Sequence, residues 1–254
     1  MRVTLSRAHH YTLDKRHAPG VTTILDEWNK PGLNRWKVNV QQDADIAVAW
    51  KLLEIEREQD YWIFPRQVPD DEAPFIETFK KLAGREKEHQ KQSREAKDLG
   101  SQMHALLEDH WKRTLGIPYV LPPVSDEAQA LFSGVLHWIG ETQLRPIAVE
   151  RRVFSLAGWY CGTVDLFAEH EGRRKVVDYK SAKGDDETLW PEQRCQNAAY
   201  REAARGMGMG EWGGLIIKVP KNGAAPFPVP VTSDPAEDFA AFLACLTLYR
   251  FGKK

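Results

Sequence analysis

The sequence predicts an α/β protein on three observations. Apolar residues recur at helical spacing through the first half, short runs rich in β-branched and aromatic residues take over beyond Ile147, and a helix, a strand and a last helix then follow.

In order along the chain, Thr23-Ile24-Leu25-Asp26 has the form of a capping box opening a short helix that Pro31 stops. Trp36, Val40, Ile46, Trp50 and Leu53 fall at roughly helical spacing over residues 34–60, and a loop rich in proline and acid covers 64–74. A further helix runs over 75–115, weakened at Gly84, with seven Lys and Arg against four Asp and Glu between Lys80 and Asp98. Such a run ordinarily marks a solvated face, and the sharper reading is a surface that tracks a phosphate backbone. After Pro122-Pro123, Ser125 caps a helix with Asp126 and Glu127 in its first turn and an apolar stripe of Leu131, Phe132, Val135, Leu136 and Ile139. Strands are expected over 147–154, 159–168 and 175–179, then a helix over 191–205, a strand over 215–219 and a helix over 235–250. The N-terminal stretch with His9, His10 and His17 lacks such a pattern and reads as mobile.

A chain of 254 residues, 42% hydrophobic, is long enough to bury a full core as one large domain or as one domain with an appendage. Its 35 basic and 36 acidic residues leave a formal charge of -1, so any nucleic-acid surface must be local. With no apolar run long enough to span a bilayer and no signal-peptide core near Met1, an intracellular protein without a membrane partner is expected. The three cysteines, Cys161, Cys195 and Cys245, are widely spaced and read as reduced core residues.

The stretch from Gly162 to Lys180 forms a hairpin by pattern, with Glu171-Gly172 as its two turn residues. His170 then pairs with Arg173, and counting back along both strands brings Asp165 opposite Asp178. Like charges facing each other among Val164, Leu166, Val176 and Val177 destabilise a sheet unless a cation lies between them. Mg²⁺ or Mn²⁺ with oxygen ligands suits that place, and alternation puts Lys180 on the face of Asp178, where it can orient or deprotonate a water and offset charge on a phosphoryl group. Phosphodiester hydrolysis is the natural reaction class. The bland alternative has both aspartates reaching solvent with Lys180 as a surface partner.

Glu150, Gly162-x-x-Asp165, Asp178-Tyr179-Lys180 and, on the following helix, Gln196-x-x-x-Tyr200 resemble the active-site signature of the PD-(D/E)XK nuclease superfamily, in its RecB-like and phage-type exonuclease branch. The helix bearing Gly100, His104 and Glu108 is similar to that branch too, and its glycine is expected to admit a closely packed segment. Val164 stands where the superfamily name has proline. The resemblance covers roughly residues 98–220 and implies a restriction-endonuclease-like core, a mixed central sheet flanked by helices, over 98–254, with a largely helical N-terminal region over 1–97 packed on it. It implies His104, Asp165, Asp178 and the Tyr179 carbonyl as metal ligands for Mg²⁺ or Mn²⁺ and Lys180 as the catalytic lysine. Gln196 and Tyr200 are implied to position that lysine and contact the DNA end, with Glu150 as a further residue that orients water or metal, or only pairs with Arg151 or Arg152. The cysteines do not match the four-cysteine branch, so no iron-sulphur cluster is expected.

Trp159 and Trp190 flank the motif strands and could stack on a base, although Trp159 reads as core. Three functions follow. The leading one is a metal-dependent DNA exonuclease of recombination, repair or phage DNA metabolism, in the cytoplasm of a bacterial or phage-infected cell. Its partners would be linear duplex or single-stranded DNA and a single-strand annealing or recombination protein, and a homo-oligomer is compatible with it. The second is a structure- or sequence-dependent endonuclease on the same site; the third is a DNA-binding subunit with a vestigial site, which the intact Asp165, Asp178, Lys180 and Gln196 disfavour.

Overall fold

A computed structural model describes residues 3–5, 11–28, 88–182 and 184–253. The chain divides into two units, one of Met1–Asn29 with Leu99–Lys254 and one of Lys30–Asp98. The helix and loop expected over 34–74, and the basic residues Lys80, Lys81, Arg85 and Lys87, lie outside the described residues.

The described elements are strands β1 (Val3–Leu5), β2 (Tyr11–Leu13) and β3 (Arg16–Ala18), helices α1 (Val21–Leu25), α2 (Glu88–Thr114) and α3 (Asp126–Glu141), strands β4 (Arg145–Ser155), β5 (Tyr160–His170) and β6 (Arg173–Ala182), helix α4 (Pro191–Gly206), strands β7 (Gly213–Pro220) and β8 (Phe227–Val231), and helix α5 (Pro235–Phe251). The central sheet has the order β4-β5-β6-β7-β8, with β6 and β7 parallel and every other neighbour antiparallel. It is a mixed sheet because β6 and β7 are joined through α4, while the turns before β5, β6 and β8 simply reverse the chain.

Both faces are covered. Val153, Val164, Phe167 and Val176 pack with α1, α4 and α5, through Ile24, Ala199, Ala203 and Phe242 among others. Leu166, Ala168, Val177, Tyr179, Leu215 and Ile217 pack with Met103, Leu107 and Trp111 of α2 and Val135 and Trp138 of α3. The fold class is therefore α/β, with a mixed sheet between helical layers.

Local chemistry accounts for most boundaries. Ser125 accepts from Ala128 N at 3.2 Å at the start of α3, and Asp234 accepts from Ala236 N at 2.8 Å at the start of α5. Glu171 and Gly172, with φ of 51° and 70°, make the tight turn between β5 and β6 in the expected register, His170 opposite Arg173. The three cysteines are buried and free.

Several expectations are corrected. The N-terminal stretch around His17 was expected to be mobile, within a largely helical region over 1–97, yet Val3–Leu5, Tyr11–Leu13 and Arg16–Ala18 form a three-stranded antiparallel sheet in the same unit as Leu99–Lys254. Its strands are three residues long and its β2–β3 turn uses Asp14 and Lys15 at φ of 47° and 68°, without the glycine that signals a hairpin. The sheet is anchored on β5: Gly20 bridges Cys161, whose N–H donates to Pro19 O at 3.0 Å, and Tyr11 OH lies 2.9 Å from Thr163 Oγ1. The supposed capping box at Thr23 is interior to α1, which starts after Gly20 without a side-chain cap and ends at Leu25. On α3 the buried stripe is Ala128, Val135, Trp138 and Ile139, leaving Leu136 exposed. Strand β8 escaped sequence reading because Pro228 and Pro230 argue against a strand, and both are tolerated at the sheet edge.

Gly162 on β5 lets α4 lie close. A Cβ there would stand 2.4 Å from Tyr200 Cε1 and 3.3 Å from Val21 Cγ2. Gly162→Ala should therefore destabilise the protein by about 1–3 kcal/mol, read as a lower urea midpoint at unchanged slope.

Candidate active site

The β5–β6 ladder runs from His170↔Arg173 to Leu166↔Val177, one step short of Asp165 and Asp178. At that next step Tyr179 N donates instead to Asp165 Oδ2 at 3.0 Å. The carboxylate takes over the acceptor role that a strand carbonyl would have filled, and the two strands open around it.

On the other side of β5 the β4 ladder shifts register between Pro146 and Ala148 and then keeps one register to Ser155, through Val149↔Leu166 and Arg151↔Val164, while Glu150 and Asp165 between these pairs are not a ladder pair. Glu150 has φ of 47°, a left-handed conformation that is uncommon for a residue with a side chain. The apolar faces change sides there: Val149 and Leu166 belong to the α2–α3 layer, whereas Val153 and Val164 belong to the α1–α4–α5 layer. Glu150, Asp165 and Asp178 thus come from three neighbouring strands at the point where β4 and β5 swap faces.

Burial pushes the Glu150 carboxyl up to about 8, and the charges of Asp165, Glu108 and Asp178 add to that rise against the opposing Lys112. Burial and then Asp178 raise Asp165 in the same way, against His104, Lys180 and the Tyr179 N–H. Asp165 and Asp178 are therefore not the directly opposed pair that the hairpin count expected, but they and Glu150 lie in one another's field.

Cationic and aromatic groups fit around them. Lys180 Nζ lies 2.6 Å from Asp178 Oδ2 and is its charge partner. Burial pulls Lys180 down, but the charges of Asp178 and Asp165 outweigh it, and the side chain is an ammonium held above the ordinary lysine range. From α2, His104 Nδ1 reaches to 3.5 Å from Asp165 Oδ2, and the imidazole stands edge-on to Tyr179 with centroids 6.5 Å apart. Trp111 Nε1 donates to Tyr179 OH at 2.9 Å and fixes that ring against α2. Glu108, one turn beyond His104, is tied to Lys112 and to Tyr119 OH at 3.1 Å.

On α4, Gln196 Nε2 donates to Tyr200 OH at 3.1 Å, and both are buried. Tyr200 packs on Gly162 and lies in the field of Asp178 and Asp165, which adds to the rise that burial imposes on its hydroxyl. His104, Glu150, Asp165, Asp178, Tyr179 and Lys180 are brought together, with Gln196 and Tyr200 behind them. At Gly100 a Cβ would meet nothing within 4 Å, so close approach of a described segment is not what that glycine serves. Trp159 is partly buried and donates to His17 O at 2.9 Å, while Trp190 is half exposed at the start of α4.

No family model and no curated protein matches the chain. Among solved structures it is similar to that of SSO0001, at 14% identity and a TM-score of 0.31, over 59% of this chain and 74% of that one. No helix among the described residues is long and apolar enough to cross a membrane.

Two participants were not legible in the motif. Lys218 on β7 is 3% exposed and pairs in register with Lys180, and a lysine inside an apolar run, Leu215 to Val219, was the available signal. Tyr11 comes from β2, and nothing in its neighbourhood of the sequence marks it. Among the described residues no three His, Cys, Asp or Glu side chains stand close enough to enclose a metal ion. The donors nevertheless match one in kind: the carboxylate oxygens of Asp165 and Asp178 beside the imidazole of His104, a set suited to Mg²⁺ or Mn²⁺.

Glu150 sets a pH dependence for the protein in chelator. Its folded carboxyl holds a proton up to pH about 8, whereas the unfolded one releases it in the ordinary carboxylate range. The native state binds more protons between those limits, so stability is full below the ordinary range and declines as pH rises toward 8. Urea unfolding in EDTA should show the midpoint falling from pH 5 to pH 8, and Glu150→Gln should flatten that slope.

Proposed function

We propose that this chain is a metal-dependent deoxyribonuclease that hydrolyses phosphodiester bonds from DNA ends, as its resemblance to the RecB-like branch of PD-(D/E)XK nucleases implies. Its support is the juxtaposition of Asp165 and Asp178, from opened neighbouring strands, with Lys180 at 2.6 Å from one and His104 at 3.5 Å from the other. Buried carboxylates that repel one another lower stability unless their placement serves another purpose, and binding a divalent cation is such a purpose.

Asp165, Asp178 and His104 would hold the ion, with the Tyr179 carbonyl as the further ligand that the resemblance implies. A bound divalent cation supplies Lewis acidity at the phosphoryl oxygen and a water that loses its proton more readily. Asp178 fixes Lys180 Nζ beside the reacting phosphate. As an ammonium, Lys180 orients the attacking water and offsets negative charge that grows on the phosphoryl oxygens in the transition state. The Tyr179 N–H and the Trp111–Tyr179 bond keep Asp165 and its strand from turning, so the ligand geometry is organised before substrate arrives. Tyr200, buried against Gly162 and accepting from Gln196, holds α4 on the Lys180 side. Glu150 adds a third carboxyl group that can orient water.

Asp165→Asn keeps an acceptor for Tyr179 N–H but removes charge, and it should abolish cleavage while leaving the melting temperature in chelator equal or higher. Lys180→Met should retain metal binding by calorimetry and lose roughly 10²–10⁴-fold in kcat. On end-labelled DNA with Mg²⁺ or Mn²⁺, linear duplex should be shortened progressively, closed circles should survive, and EDTA should stop the reaction. Cleavage in EDTA sinks the metal assignment; rapid nicking of closed circles, absent from an Asp178→Ala preparation, replaces the exonuclease by an endonuclease.

A further inference from the structure

Strand β7 is a central strand whose Leu215, Ile216, Ile217 and Val219 are all buried, and in its middle stands Lys218, 3% exposed. A leucine or methionine would fill that space without desolvating an ammonium. Among the described residues the ammonium has two hydrogen-bond acceptors, both beyond the end of β6: it donates to Thr188 O at 2.9 Å and lies 3.5 Å from Gln193 Oε1. Thr188 belongs to the stretch between β6 and α4, and Gln193 to the first turn of α4, where its Oε1 also accepts from Trp190 N at 3.2 Å. Lys218 is in parallel register with Lys180, so both side chains leave the sheet on the same face. Gln193 and Gln196 are three residues apart on α4, neighbours along one stripe of that helix. One cation therefore ties the segment following Lys180 to the helix that carries Gln196 and Tyr200.

We propose that Lys218 is a positioning residue for the Lys180 site: by holding the Thr188 carbonyl and Gln193 it fixes the 184–190 segment and the first turn of α4 in place beside Lys180. This rests on the nuclease reading for its kinetic consequence and on geometry alone for its structural one. The ammonium is needed as a charged, multiply donating anchor, which an apolar side chain of equal length does not replace.

The test compares Lys218→Met, Lys218→Arg and Gln193→Ala with the unaltered protein, by thermal melting, by cleavage with a glutamyl endopeptidase after the exposed Glu187, and by steady-state kinetics on linear duplex DNA with Mn²⁺. Lys218→Met should remain folded, be cut after Glu187 at least about tenfold faster under native conditions, and lose about tenfold or more in kcat with KM changed less than about threefold. Lys218→Arg, which keeps the charge, should restore most of both, and Gln193→Ala should loosen the segment severalfold. If Lys218→Met does not fold, the Gln193→Ala and Lys218→Arg proteolysis rates decide. A protected Glu187 together with unchanged kcat in Lys218→Met, or a lowered melting temperature with kcat per folded molecule intact, overturns the proposal. If the unaltered protein cleaves no DNA, the nuclease reading fails while the proteolysis rates still judge the anchor.

Discussion

The hydrogen bond from Tyr179 N to Asp165 Oδ2 is the constraint on which the rest of the candidate site depends. A strand interior has to satisfy every N–H, and an antiparallel neighbour would normally do so with a carbonyl. Here a side chain does it, so the backbones of β5 and β6 can part while no donor is stranded. The parting gives Asp165 a place inside the sheet, lets His104 approach it from α2, and leaves Asp178 to Lys180. Were the ladder to continue one more step, the carboxylates would face each other directly at the spacing where like charges repel most.

The same opening organises the layers. Where Glu150 takes its left-handed conformation, β4 and β5 exchange the faces they show to the two helical layers without losing register. Strict alternation would bury Asp165 fully in one layer; the exchange leaves it 17% exposed instead, in reach of groups from both. Close packing sustains this arrangement through Gly162 under Tyr200 and Gly214 under Asn197, whose Nδ2 donates to Val176 O at 3.1 Å. Local strain at Glu150 is thus held by interdigitation on either side, which is how a sparsely populated backbone conformation persists in a folded protein.

Much of this was legible in the sequence because it rests on short-range rules. Glu171-Gly172 dictates a two-residue turn and the turn dictates register as far as Leu166↔Val177, while the direct opposition of Asp165 and Asp178 that the same count gives is not formed. Ser125, Pro191 and Asp234 mark helix starts by the chemistry of their own first turns. What was hidden depends on segments distant in sequence. The N-terminal strands have no pattern strong enough to announce themselves and are defined by docking on Cys161 and Thr163. The role of Lys218 depends on where the loop after β6 passes, and the gap between β5 and β6 depends on a side chain replacing a carbonyl, which no spacing rule encodes.

The docking of Tyr11 on Thr163 joins residues 152 positions apart, with Lys30–Asp98 standing between as a separate unit. At a synthesis rate of about 5–20 residues per second, the surface that receives β2 leaves the ribosome on the order of ten to thirty seconds after β2 itself. Strands of three residues cannot hold together alone for that interval. Strands β1–β3 are therefore among the last of the described elements to acquire their native neighbours. Closing so long a loop is slow as well as late, which places the docking of the β1–β3 sheet near the end of the folding sequence, after β5 and β6 have found each other.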